Sequence, residues 1–242
     1  MSTLPFLILE TGRPLPALRR LGPFAHWIRV AAGLSARETA VCAVLDDAAL
    51  PEHGHFAGVL ITGSGAMVTE RHPWSERSAE WLRAAAAKRL PLFGICYGHQ
   101  LLAHAFDGEV GFNPRGREMG TVPVQLKDEA ADDPLFARLP AQLLAHATHL
   151  QTVLRPPAGA HVLARSAQDD CQAFRLRDAP AWGVQFHPEF STRMMRGYLH
   201  ARRVELGREG RCAVGLQNDV RPAPLAREVL RRFVRHARRP HD

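Results

Sequence analysis

Short apolar runs alternate with helix-like stretches through the first hundred residues. Residues 5–10 (PFLILE), 39–45 (TAVCAVL), 57–62 (AGVLIT) and 91–95 (PLFGI) are nearly continuous apolar segments of strand length. Such runs fit strands buried on both faces, as in a parallel sheet. Between them, residues 24–34 read as a helix. Residues 73–89 are strongly helical, with Pro73 at the start and then Ala, Glu, Arg and Leu. Residues 98–106 supply another helix. The alternation predicts crossover units and a three-layer α/β fold, with a mainly parallel sheet flanked by helices.

After Gly108 the pattern changes. Residues 118–126, 142–147, 161–164, 171–176 and 181–186 read as strands joined by short Pro/Gly/Asp loops, with little helix between them. That predicts an antiparallel section added to one side of the sheet. Helices follow near 192–206 and 225–237, and no Pro/Ser-rich linker separates them from the body. The expected organisation is a body of residues 1–192 and a helical extension, 193–242, packed on the same domain. No internal repeat or low-complexity tract interrupts either part.

Composition narrows the class. A chain of 242 residues that is 46% hydrophobic and 23% charged can bury a core without disulfides or a structural metal. It is not a disordered chain, a collagen or a coiled coil. No apolar run reaches membrane-span length, and residues 1–10 lack the basic region and cleavage site of a signal peptide. A cytoplasmic location is therefore expected.

The net charge of +7 is uneven. Residues 193–242 hold 13 Arg, no Lys and 5 acidic residues, a net of +8, and the other 192 residues carry a net of −1. Such a basic segment is either a solvated helical face or a surface for an acidic partner. No interleaved aromatics or zinc-finger spacing favours nucleic acid. The four cysteines, at 42, 96, 171 and 212, form no C-x-x-C pair, so each stands alone as core filler or nucleophile.

One cysteine occupies a special place. Gly94-Ile95-Cys96-Tyr97-Gly98 lies where a buried strand meets a helix. Glycines two before and two after a nucleophile are the signature of a nucleophile elbow, whose sharp turn leaves room only for small neighbours. Cys96 would project from the carboxyl end of the sheet, at the mouth of a crevice. The helix N-terminus would favour its thiolate, and the backbone N–H of Tyr97 would face a developing oxyanion. Read alone, the pentapeptide also fits a buried structural cysteine. Cys42 and Cys171 fall within strand patterns and Cys212 in the basic segment, where core or surface roles suffice.

A thiolate needs a general base that can later act as an acid. Of thirteen histidines, His187 directly follows an apolar strand and precedes Pro188 and Glu189. Proline biases the preceding residue toward extended geometry, where residues i and i+2 point the same way. His187 and Glu189 should then face one crevice, with the carboxylate holding the imidazole as in a Cys-His-acid triad.

Gly94-Ile-Cys-Tyr-Gly-His-Gln100 together with Gly183-Val-Gln-Phe-His-Pro-Glu189 resembles the class I glutamine amidotransferase family. The match is similar to the glutaminase domain of GMP synthase and to stand-alone relatives, including γ-glutamyl peptidases. It spans roughly residues 56–192, with the N-terminal strands matching weakly and the tail lying outside it. The resemblance implies a flavodoxin-like fold. It also implies a cysteine that attacks the glutamine amide, forms a γ-glutamyl thioester and releases ammonia. Carried over, Cys96 is the nucleophile, His187 the acid/base and Glu189 its orienting partner. Tyr97 matches one oxyanion-hole N–H. Thr62-Gly63-Ser64-Gly65 matches the position of the second, where the family often reads S-G-G-P, with Gly63 and Ser64 as candidates. Gln100 matches a substrate-contacting glutamine. Thr148-His149-Leu150-Gln151 resembles the S-H-G-D segment that grips the substrate's amino acid end. Gln151 replaces its aspartate, which weakens the case for free glutamine and leaves room for a γ-glutamyl compound with a differently substituted amine.

No metal or other cofactor is expected. His146 and His149 stand three apart but lack a third ligand and the helix context that this spacing needs. His99, beside the elbow, reads as a neighbouring polar residue and not a second base. No P-loop is present, since neither Lys88 nor Lys127 follows a glycine, and the S-G-G-x-D-S loop of the GMP synthase ATP domain is missing. Residues 193–242 are too few for an ATP-using synthase domain. An ammonia acceptor would then sit on another protein. Three readings stand: an amidotransferase subunit serving a separate synthase, a free γ-glutamyl hydrolase or peptidase, and a non-catalytic binding module. The intact Cys96, His187 and Glu189 argue against the last.

Overall fold

In the computed structural model, which describes residues 4–46 and 48–239, the apolar runs form the centre of one sheet. Its strands are β1 (Phe6–Glu10), β2 (Thr39–Ala43), β3 (Gly58–Ile61) and β4 (Leu92–Ile95). The chain continues with β5 (Glu109–Phe112), β6 (Glu118–Leu126), β7 (Gln142–His149), β8 (Gln151–Arg155), β9 (His161–Arg165), β10 (Ala173–Arg175) and β11 (Ala181–Val184). Nine of them make the main sheet in the order β2-β1-β3-β4-β11-β10-β9-β6-β7. The first five in that order run parallel, and β10, β9, β6 and β7 extend the sheet with antiparallel pairs. The molecule is thus α/β, with the antiparallel section on one side, as the sequence predicts.

Strand alternation divides the core. Phe6, Ile8, Leu60, Phe93 and Ile95 face one side, where they meet α1 (Phe24–Ala32). Leu7, Leu9, Val59, Ile61 and Leu92 face the other, against α2 (Pro73–Ala87) and α3 (Tyr97–Ala105). The remaining helices are α4 (Thr192–Ala201), α5 (Arg203–Arg208), α6 (Ala213–Asn218) and α7 (Pro224–Ala237). Helix α7 lies beside α1: Phe233 is fully buried, with its ring 5.1 Å from Phe93 and 6.4 Å from Phe6. Helix α4 packs Met195 and Leu199 into a third cluster with Trp27 and Phe190.

Three local expectations change. The 171–176 run yields only the short β10, Ala173–Arg175, which carries a register shift between Ala173 and Phe174 in its pairing with β9. The single helix over 192–206 divides at Arg202, which caps α4 and precedes α5. The separate β5–β8 pair and α6 were not anticipated. Among the described residues no helix is long and apolar enough to cross a membrane.

Candidate active site

Cys96 sits between β4 and α3 with φ 52° and ψ −99°. Positive φ is uncommon for a side chain and costs on the order of 1–3 kcal/mol unless neighbours enforce it. The flanking glycines show how they do. A Cβ at position 94 would lie 2.3 Å from Gly98 O, and one at position 98 would lie 2.7 Å from Ile61 O. The backbone N–H of Cys96 donates to Val184 O at 2.8 Å, which ties the elbow to β11. Tyr97 opens α3, so its N–H belongs to the first turn, which has no intrahelical acceptor. The Tyr97 ring points away into the core, with its hydroxyl 2.7 Å from Ser75 Oγ.

His187 and Glu189 meet: His187 Nδ1 lies 2.7 Å from Glu189 Oε1, and both residues are buried. The route differs from the extended segment read from the sequence. Strand β11 ends at Val184, and His187-Pro188-Glu189 turns, with the His187 N–H donating to His146 O at 2.7 Å. The turn brings i and i+2 into direct contact instead of setting them side by side. Burial alone would push the His187 imidazole down. Glu189, and then Cys96, outweigh it and raise the ring to about 10. His187 Nε2 is buried without a hydrogen-bond partner on the ring edge opposite Glu189. The Phe190 ring stacks on the imidazole at 4.1 Å and fixes its plane. Neighbouring His146 contrasts with it, since burial and then His187 push it down to about 4.

The Thr62-Gly63-Ser64-Gly65 turn closes the other side. A Cβ on Gly63 would come 3.1 Å from His187 Cε1 and 3.8 Å from Cys96 Cβ, so this backbone covers the pair. The Gly63 carbonyl accepts from Thr62 Oγ1 at 2.9 Å, and Thr11 donates to Thr62 O at 2.9 Å. In a trans peptide the carbonyl and the next N–H point in opposite directions. The Ser64 N–H therefore points away from the two threonines.

These groups border a cleft of about 260 Å³ that reaches Cys96, Tyr97, His187, Ser64, Gln100 and Thr148 to Gln151. Gln100 Nε2 donates to Gln151 O at 2.7 Å and to Gln185 Oε1 at 2.9 Å. Gln151 Nε2 donates to Thr69 Oγ1 at 2.6 Å, while Gln151 Oε1 is buried with no partner. The sequence profile of class I glutamine amidotransferases matches residues 30–205 of the chain. The chain belongs to the class I glutamine amidotransferase family.

Relatives of this amidotransferase include the glutamine-hydrolysing GMP synthase subunits A of Methanococcus aeolicus and Ignicoccus hospitalis. The first is 31% identical over 144 residues, spanning 60% of this chain and 70% of the relative. The second is 36% identical over 139 residues, spanning 57% and 70%. Among solved structures, a glutamine amidotransferase from Thermotoga maritima superposes with TM-score 0.77 at 20% identity, covering 99% of this chain and 100% of that one. A glutamine amido transferase from Methylobacillus flagellatus gives 0.77 at 24%, covering 97% and 95%. At these identities the two structures speak for the fold alone.

Some residues of this amidotransferase site escaped sequence reasoning. His149 Nε2 lies 3.0 Å from Glu118 Oε2 and 3.8 Å from Asp169 Oδ2, both buried. The donor atoms of the trio lie within 4.8 Å of one another, close enough to surround a cation. They are engaged elsewhere: Glu118 also accepts from Ser166 and Gln172, Asp169 from Thr152, and His149 Nδ1 faces Gln151 O. This is a hydrogen-bonded strut that fixes the 148–151 wall. His99 fills the core behind the elbow, its ring 4.9 Å from Phe174, and burial pushes it down to about 3. Arg13, Arg117 and Arg202 also line the cleft, and no motif flagged them.

Proposed function

We propose that this amidotransferase cleaves a γ-glutamyl amide with Cys96 as nucleophile, His187 as acid/base and Glu189 as its orienting carboxylate. The buried His187–Glu189 contact beside a cysteine at a strained elbow is the observation that carries this reading. With the Cys96 proton already held on the His187 ring, Cys96 Sγ forms a bond to the amide carbon and the carbonyl electrons move to oxygen. The Tyr97 N–H and a backbone N–H of the Gly63-Ser64 turn receive the oxyanion. Collapse breaks the C–N bond, and His187 protonates the leaving nitrogen, so glutamine releases ammonia. Water then attacks the γ-glutamyl thioester, gives its proton to His187 and expels the Cys96 sulfur, leaving glutamate. Gln100, Thr148, His149 and Gln151 form the wall that holds the amino acid end.

The same proposal assigns residues 1–192 to the catalytic body and 193–242 to a basic helical extension packed on it. It places the chain in the cytoplasm, in keeping with its four unpaired cysteines. Relatives named as GMP synthase subunits A support a separate synthase subunit as ammonia acceptor. Gln151, in the family's aspartate position, favours a second reading in which a larger γ-glutamyl compound is the substrate. Intact-protein mass spectrometry after mixing with glutamine and γ-glutamyl peptides tests the chemistry. A γ-glutamyl adduct with glutamate release, both abolished in Cys96→Ala, is the expected result. Turnover that survives in Cys96→Ala would overturn the proposal.

A further inference from the structure

The cleft of this enzyme is walled by charge of one sign. Arg13, Arg117 and Arg202 line it, and among the described residues none of the lining side chains is acidic. The three come from remote parts of the chain. Arg13 follows β1, Arg117 precedes β6, and Arg202 caps α4, which starts just after the His187-Pro188-Glu189 turn. Close packing of α4 on the 16–21 turn brings the Arg13 and Arg202 segments together, since a Cβ on Gly197 would lie 2.5 Å from Leu18 Cδ2, and Arg117 is tied to Glu209 just past α5.

Each guanidinium also pairs with one carboxylate, and the Arg13–Asp46 and Arg202–Glu205 pairs are partly open to solvent. Arg13 Nη2 pairs with Asp46 at 2.7 Å, Arg117 Nε with Glu209 at 3.0 Å, and Arg202 Nη1 with Glu205 at 3.0 Å. Those carboxylates lie off the cleft wall. Each contact uses one nitrogen of a fork that carries five N–H donors, so the heads are oriented without being used up. The wall for the amino end carries the neutral Gln151 side chain, its Oε1 buried and unpartnered, where a carboxylate would have matched an ammonium.

Free glutamine carries one carboxylate and one ammonium and is net neutral. A γ-glutamyl amino acid carries two carboxylates and one ammonium and is net negative. Three guanidiniums facing no lining carboxylate complement the second charge pattern. We propose that the substrate's leaving amine bears a carboxylate, that the Arg13–Arg117–Arg202 rim selects it, and that the preferred substrates are γ-glutamyl amino acids or short γ-glutamyl peptides. This rests on the γ-glutamyl cleavage proposed above. The bond broken is the γ-glutamyl C–N bond, water supplies the OH and H, and the products are glutamate and the free amino acid.

The test compares γ-glutamyl-glycine with γ-glutamyl-methylamide, which lacks the second carboxylate, and with glutamine, on the full chain. The expected kcat/KM is about tenfold or more higher for γ-glutamyl-glycine than for the methylamide, the size of one charge-assisted contact. In Arg13→Gln, Arg117→Gln or Arg202→Gln at least one such gap narrows to a few-fold. Both substrates are measured on the same preparation, so partial misfolding of a variant cancels from the ratio. Equal kcat/KM for the two amides in the wild-type chain, or a gap that survives all three substitutions, overturns the rim assignment. If no amide is cleaved, the γ-glutamyl cleavage reading fails. Calorimetric binding of the same two compounds then decides the rim separately. A preference for γ-glutamyl-glycine that is lost in the Arg variants supports it, and equal or absent binding overturns it.

Discussion

Replacing Gly94 by alanine tests whether backbone packing builds the elbow. The new Cβ would lie 2.3 Å from Gly98 O, 2.4 Å from Gly98 C and 2.7 Å from His99 N. Non-bonded carbon contacts settle near 3.5 Å, so the overlap is about 1 Å. All three atoms are backbone of α3, and no flexible side chain can yield. Relief requires α3 to lift from β4, and Cys96 moves with it because it joins the two. Overpacking of this kind costs about 1–3 kcal/mol. At about 2–4 °C per kcal/mol for a chain of this size, Tm should fall by roughly 2–12 °C. A displacement of about 1 Å at a reacting atom can cost ~100-fold in rate. Thermal unfolding by circular dichroism and glutamate release on the same preparations give both quantities. Gly207→Ala is the control: its Cβ meets nothing within 4 Å, and alanine inside α5 should hold or raise Tm. Wild-type Tm and kcat in Gly94→Ala would refute the packing argument.

Two further outcomes follow from contacts described above. Glu189→Gln removes the charge that outweighs burial at His187, so burial should win and the imidazole should lose its proton at lower pH. The protonated ring is the favoured form in the wild type, so the alkaline limb of kcat/KM should move down in the variant; an unmoved limb in a pH–rate profile would discount Glu189. Phe233→Ala empties a fully buried site against Phe6, Phe93 and Trp182 and should cost about 3–5 kcal/mol by denaturant titration. A loss below about 1 kcal/mol would mean that α7 can come away from the sheet with little effect.

The legible parts of the molecule were those whose physics is local. Residues 5–10 and 91–95 are too apolar and too short for anything but buried strands, and they became β1 and β4. The elbow was legible because its constraint, two glycines around one strained residue, is written within five positions. The place of His187 and Glu189 was anticipated, although a turn and not an extended strand joins them. What stayed hidden depends on distance along the chain. Residues 109–112 include Phe112, which is 63% exposed and whose partner strand lies some forty residues on, so no local pattern marks β5. No glycine or proline marks the break at Arg202. The arginine excess of the last fifty residues was visible only as a sum. Composition could not show that Arg202 turns inward while others of the excess face solvent.

The contact between Phe6 and Phe233 also has a temporal side. The first strand of the sheet and the last helix of the described chain cover each other, with more than two hundred residues synthesised in between. On a ribosome, the face of β1, β3 and β4 that carries Phe6, Ile8, Leu60 and Phe93 stays partly uncovered until α7 has left the exit tunnel. Folding dominated by such remote pairings is slow, and the waiting surface is apolar. A growing chain therefore carries that apolar face partly open for as long as it takes to synthesise the residues between β4 and α7.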